Sequence, residues 1–212
     1  MEKLDPDLLE QVIDIEWDMF STAPNEGGPA DCQSQRGTFE IMRKAQAATW
    51  NNAVLESYLQ DLRDAQAMGR NLMTEKYGRM EQVTFPEEYA KIAHLLPPVS
   101  EEVQSLVHEL AALHLVWDRE AAEKYPLLRG RGRPLTGRQG DPETSAQTYL
   151  EGEYSTFSAR TLRLLVKREQ DAFDSGENLV IEQLDATVRA YGWASIDAAE
   201  AHLRGKRKAP RG

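Results

Sequence analysis

Apolar residues return every three or four positions along almost the whole chain, which is the spacing of a helix face packed on a core. After Asp5-Pro6-Asp7, a start signal with proline in the first turn, come Leu8, Leu9, Val12, Ile13, Ile15, Met19 and Phe20. Pro24 to Asp31, with Gly27-Gly28-Pro29, reads as a loop. Further helices are predicted over about 34–49 and, as one long element, over 52–82. Pro86 opens a short helix that Pro97-Pro98 ends. Ser100-Glu101-Glu102 caps the next, whose apolar row of Val103, Leu106, Val107, Leu110, Leu113 and Trp117 runs on until Pro126. Residues 127–141 carry four Gly, one Pro and four Arg and read as a mobile loop presenting arginines to an anion. A second long helix is predicted over 146–173, then helices over 178–191 and 195–204. No stretch shows sustained period-two alternation of β-branched residues. The expected fold is therefore all-α: one helical domain over residues 1–204 with a long central helix, and a basic disordered tail over 205–212.

The places where the pattern breaks point to chemistry. With steps of four and three, 52–82 gives an inward row of Leu55, Leu59, Leu62, Gln66, Gly69, Met73, Lys76 and Met80. Gln, Gly and Lys stand where a packed helix wants Leu, and a buried lysine costs several kcal/mol unless paired. One reading is a polar cavity with Gly69 making room and Tyr58, Arg70 and Tyr77 beside it. The other is that Lys76 snorkels and Gly69 marks a close helix crossing. Glu16 interrupts the row Leu9, Ile13, Phe20, and Tyr149 and Glu153 lie one turn apart on 146–173. A lone inward Lys76 calls for a carboxylate, and Glu16 and Glu153 are the acids nearest in pattern. The two long helices are thus expected to face each other, with Arg43 and Arg70 at the cavity rim.

Cys32 follows the glycine loop. Near a helix start its thiol would be activated as a nucleophile; packed against that start it would be inert. The His positions lack the Glu-x-x-His pairs of a di-metal bundle, and no phosphate loop, dinucleotide loop or nucleophile elbow occurs. No metal and no cofactor is therefore expected, although four Trp and a His leave a haem or flavin binder as a distant rival.

Charge narrows the partners. The chain of 212 residues carries 25 basic and 35 acidic side chains, a net −10. Residues 1–126 hold 23 acidic and 11 basic side chains, and residues 127–212 hold 12 and 14. The terminal Arg204, Lys206, Arg207, Lys208 and Arg211 read as a solvated end, since an acidic body repels phosphates and nucleic acid is not expected. No run of 18 apolar residues and no signal-type start occur, so neither a membrane span nor export is expected. One cysteine, Cys32, fits a reducing cytoplasmic location.

Several segments together resemble a bacterial family catalogued as domain of unknown function number 4125. They are Gly28-Pro29-Ala30-Asp31-Cys32-Gln33, Phe39-Glu40-Ile41-Met42-Arg43-Lys44-Ala45-Gln46 with Trp50, Ser57-Tyr58 with Asp61-Leu62, and Gly69-Arg70-Asn71-Leu72 with Glu75-Lys76-Tyr77. The later ones are Gly132-Arg133-Pro134, Thr144-Ser145, Thr148-Tyr149-Leu150-Glu151-Gly152-Glu153 and Tyr191-Gly192-Trp193. The likeness runs from about residue 10 to 203. It implies no established activity, but it implies that Tyr58, Gly69, Arg70, Lys76, Tyr77, Tyr149 and Glu153 are motif positions. Glu151 departs from the pattern, which is often basic there.

The functional expectation is a cofactor-independent enzyme of lyase or isomerase type, acting on a small carboxylate-bearing substrate, in secondary metabolism. Lys76, Tyr58 and Tyr77 would serve as acid or base, with burial lowering the Lys76 pKa, and Glu16 and Glu153 would orient them. Arg43, Arg70, Asn71, Gln33 and Tyr149 would bind substrate, with Cys32 as a possible nucleophile. The alternative is a non-catalytic helical accessory protein that partners another enzyme. A homodimer or a partner enzyme is the expected macromolecular contact.

Overall fold

The computed structural model describes residues 3–25 and 28–208, with side chains through 206. Gly27 of the first loop and Arg211 of the tail lie outside the described residues. Helix starts are written into the sequence as short polar caps. The Asp5 carboxylate accepts from the Asp7 and Leu8 amides and opens α1 (Pro6–Ser21). A 3-10 turn, Asp31–Ser34, leads into α2 (Arg36–Ala47). Asn51, which accepts from the Val54 amide, opens α3 (Asn52–Ala67). Asn71, accepting from Thr74, opens α4 (Leu72–Thr84). Pro86 begins α5 (Pro86–Ile92), and Ser100 caps α6 (Glu101–Lys124). The short α7 (Pro126–Arg129) follows. Ser145, Ser158 and Asn178 cap α8 (Ala146–Tyr154), α9 (Ala159–Asp174) and α10 (Leu179–Ala190). The chain ends in α11 (Ile196–Lys208), so helix covers the first part of the tail expected to be disordered. The described residues are all-α, in one domain, with no strand.

Both long helices of the sequence reading are two helices each. At 67–71 the backbone turns at Gly69, whose φ is +67°, and the Arg70 amide donates to the Ala65 carbonyl. This is a glycine-terminated helix end. Asn71 then restarts the chain. Consequently Gln66 and Gly69 are exposed, while Lys76, on a helix with its own axis, is buried. At 155–158 the chain turns and Ser158 recaps it, so Glu153 belongs to the nine-residue α8.

The main core joins α1, α3, α4, α6, α8 and α9 through Val12, Met19, Leu55, Tyr58, Leu62, Leu72, Leu110, Tyr154, Phe157 and Leu165. A smaller cluster of Tyr125, Val188, Ile196 and Ala199 seats α11. The close crossing that positions the site is α4 against α8. A Cβ on Gly152 would lie 2.7 Å from the Met80 Cγ and 3.1 Å from the Lys76 carbonyl oxygen. The glycine that admits a neighbouring helix is therefore Gly152 and not Gly69, around which a Cβ would meet only open space.

The arginine-rich segment is tied to the body. Arg129 forms a two-pronged ion pair with Asp118 of α6, its Nη2 donating to Oδ2 at 2.7 Å. Beyond it, the Gly140 amide donates to Val83, the Ala146 amide to Pro134 and the Gln147 amide to Leu135. The segment is thus anchored at several points, while Arg131, Arg133 and Arg138 stay exposed.

Candidate functional site

Five helices send six polar side chains to the same point, two of them from α2. Arg43 of α2 stands at its centre. Its Nε donates to Glu16 Oε2 of α1 at 2.8 Å, and its Nη2 donates to Glu16 Oε1. Its Nη1 donates to Glu153 Oε1 of α8 at 3.0 Å and to Gln46 Oε1 at 2.7 Å. Gln46 is three residues on along α2 and returns its amide to Glu153 Oε1 at 2.8 Å. The Tyr58 hydroxyl of α3 donates to Glu16 Oε1 at 2.7 Å. Lys76 of α4 completes the set, donating to Glu153 Oε2 at 2.5 Å. Glu16, Arg43, Tyr58, Lys76 and Glu153 are all buried. Two cations and two carboxylates thus balance, and each charge has charged hydrogen-bond partners, the condition under which buried ions are tolerated.

The two carboxylates are not equivalent. Burial drives Glu153 toward its neutral form, but Arg43, Lys76 and Gln46 outweigh it and hold the carboxyl well below the usual range. Burial pushes Glu16 up and prevails over the Arg43 pairing. For Lys76, burial lowers the ammonium pKa while the Glu153 charge and the Tyr149 ring environment raise it, and the net shift is upward. This corrects the expectation of a lowered, basic lysine: burial is the largest single influence, but Glu153, Tyr149 and Tyr77 together outweigh it. Tyr58 is pushed well above 10 by burial and by Glu16, and Tyr77 is pushed up to about 12 by burial and by Tyr149.

Lys76 and Arg43 form the charged floor of a cavity of about 200 Å³. Its walls are Phe20, Phe39, Met42 and Met73, with Tyr77, Tyr149, Thr38, Gln35 and Cys32 completing it. The Lys76 ammonium sits 3.6 Å from the centre of the Tyr149 ring and 5.9 Å from that of Tyr77, in cation–π range. The cavity therefore lies among α1, the 3-10 turn, α2, α4 and α8; α3 contributes no lining residue, and Tyr58 reaches only Glu16 behind Arg43. Among the described residues no group of three or more His, Cys, Asp or Glu side chains is placed to hold a metal ion.

Residues 6–201 match the profile of the family described as protein of unknown function (DUF4125). The chain belongs to that family. No curated protein and no solved structure matches it. The segments on which the sequence resemblance rests meet at the cluster just described, since 39–46 supplies Arg43 and Gln46, 57–58 supplies Tyr58, 75–77 supplies Lys76 and Tyr77, and 148–153 supplies Tyr149 and Glu153.

Of the remaining expected site residues, Arg70, Asn71 and Gln33 stand elsewhere and Cys32 stands at the cavity. Arg70 is half-buried and grips Glu75 with two hydrogen bonds of 2.7 and 2.8 Å, away from the cavity lining. Asn71 caps α4 and donates to the Met19 carbonyl at 2.8 Å, tying α4 to α1. Gln33 is buried with both ends engaged: its amide donates to Phe20 and Ala23, and its oxygen accepts from Asn25 and Ala30. It staples the first loop. Cys32 is exposed at the cavity, not packed into the helix start. The sequence reading missed Gln46, whose signal was its i+3 spacing from Arg43. It also missed the apolar walls, whose only signal was ordinary helix periodicity.

Proposed function

We propose that the cavity binds a small carboxylate-bearing molecule with an apolar body and that the protein acts on it as a cofactor-independent lyase or isomerase. One observation carries this reading: a buried lysine lies at the floor of an apolar-walled cavity, held by Glu153 and against Tyr149. An apolar enclosure strengthens every charge interaction inside it. Lys76 spends one N–H on Glu153, its ammonium lies 3.6 Å from the centre of the Tyr149 ring, and the residue lines the cavity. Its raised pKa suits it to donate a proton or to stabilise developing negative charge, such as the enolate formed next to a carboxylate, and not to act as a base near neutral pH. The substrate carboxylate would meet Lys76 and the Arg43 edge, while Phe20, Phe39, Met42 and Met73 hold the body. Glu153 orients Lys76, Glu16 and Tyr58 orient Arg43, and Cys32 at the cavity is the candidate nucleophile.

The test uses wild-type protein and Lys76→Met, with folding checked by circular dichroism, each incubated with a mixture of small carboxylic acids followed by mass spectrometry. The wild type is expected to consume one acid that the variant spares, and Arg70→Ala to retain the activity. Equal consumption by wild type and Lys76→Met, or none by either, would sink the catalytic reading.

A second reading, an accessory protein for another enzyme, rests on α5. None of its residues is buried, and Phe85 and Leu95 at its two flanks are 49% and 70% exposed. Recovery of one stoichiometric partner, lost on Phe85→Ser with Leu95→Ser, would favour it.

A further inference from the structure

Another cavity, of about 420 Å³, lies on the far side of Tyr149, between α2, α6, α8 and α10. It shares Met42, Arg43 and Tyr149 with the first. We propose that it is a separate binding site for an organic monoanion with an apolar body, in which Arg133 takes the anionic group and His114 meets a hydrogen-bonding group at the other end.

Three observations carry this. The apolar side is continuous: Leu115, Leu128, Leu150, Val180 and Leu184 come from four different elements to one wall. A volume of this size falls in the range of small-molecule sites. Second, the charges of the lining are compensated except for one. Arg43 is consumed by Glu16 and Glu153, and Arg129 by Asp118. Arg133, exposed, makes no ion pair among the described residues; it donates to the Thr144 carbonyl at 3.2 Å and lies 4.8 Å from the centre of the Tyr149 ring. A guanidinium held against a ring in this way keeps donors for a carboxylate, sulfonate or phosphate group.

Third, His114 is positioned. Its Nε2 is 2.9 Å from Oε1 of the buried Glu169 on α9, and Trp117 and Tyr154 pack edge-on at 5.7 and 6.2 Å. A carboxylate on one ring nitrogen fixes the tautomer and ring direction. Nδ1 makes no hydrogen bond to the described residues, and the residue lines the cavity. The groups facing the imidazole are Glu169 and, one turn along α6, Asp118, itself paired with Arg129. Burial lowers the imidazole pKa, and Glu169 and Asp118 more than restore it.

The probe is 8-anilinonaphthalene-1-sulfonate, an apolar monoanion that fluoresces when bound, titrated into the full chain. Near-ultraviolet circular dichroism verifies that the protein is native. Saturable binding at one site is expected. Arg133→Ala, a surface change, should weaken it about tenfold, the effect of one hydrogen bond to a charged group. Val180→Trp, which fills the cavity, should abolish it. Thr38→Trp, which fills the first cavity, should leave it unchanged. Occupancy should also raise the His114 pKa in an imidazole NMR titration, with exposed His94, His108 and His202 as internal references. Absence of binding, wild-type binding by Arg133→Ala, or loss in Thr38→Trp would overturn the proposal. The last result would place the probe in the first cavity. Because Lys76 takes no part, the catalytic reading of the first cavity can fail while this one stands, and the converse.

Discussion

Glu153 is the residue on which the buried cluster turns. It accepts from Arg43, Gln46 and Lys76, so its loss strips partners from two buried cations at once. Breaking a buried ion pair from one side costs about 3–5 kcal/mol. Glu153→Gln should therefore lower stability by about that amount, read from urea unfolding at neutral pH. The double change Glu153→Gln with Lys76→Met should recover part of it, because no unpaired ammonium is left inside. Since the folded Glu153 carboxyl lies below its ordinary value of 4.5, its contribution is complete above that pH and declines as the solution is acidified. Tyr77 acts at the other end of the scale. Its folded pKa is about 12 against 10 when free, so the unfolded chain loses this proton first. The associated stability is complete below pH 10 and is lost between pH 10 and about 12. The fall of the urea midpoint across that window should be shallower in Tyr77→Phe than in the wild type; identical slopes would refute the assignment.

The elements are held in place by two glycines of opposite kinds. Gly152 lets α8 close on α4, and this closeness brings Glu153 within reach of Lys76. Alanine there gains helix propensity of about 1 kcal/mol but collides with Met80 and the Lys76 carbonyl, and overpacking costs about 1–3 kcal/mol. Gly152→Ala should be net destabilising and should shift the Lys76 and Glu153 signals. Gly69 sits in open space at φ +67°. Gly69→Ala should cost about 1 kcal/mol through backbone strain alone, leave the site signals unmoved, and be largely relieved in Gly69→Asn. Chemical-shift maps of the two alanine variants would separate the cases.

Across the whole molecule, the acidic chain with net −10 leaves most of its cations exposed and buries two of them at one point. Arg43 and Lys76 are buried, and Arg129 fastens the arginine-rich segment to α6 through Asp118. No helix among the described residues is long and apolar enough to cross a membrane. The segment after α7 contributes Gly132 and Arg133 to the lining of the larger cavity. Asp118→Asn should weaken the tie, and limited trypsin digestion should then cut after Arg131 or Arg138 several-fold faster than in the wild type. Equal cleavage rates would show that the backbone contacts at Gly140 and Ala146 suffice by themselves.

The helical class and most helix starts were legible in the sequence, because each depends on neighbours within one or two turns: an Asp, Asn or Ser side chain reaching an amide three residues on, and an apolar residue every third or fourth place. The lysine that breaks an apolar row, and the carboxylate it needs, were legible too, because a buried charge without a partner is too costly to keep. Where rows were joined across a turn, the sequence misled. A heptad count runs smoothly through Gly69 and through Thr156, but one glycine with positive φ and one serine cap rotate the following helix about a new axis. That rotation exposes Gln66, separates Arg70 from the cavity and gives Lys76 its own surroundings. Which carboxylate pairs with which cation, and whether Lys76 is raised or lowered, depended on distances between residues up to 110 positions apart. Those distances are set by how α1, α2, α4 and α8 pack, and no local rule of spacing contains them.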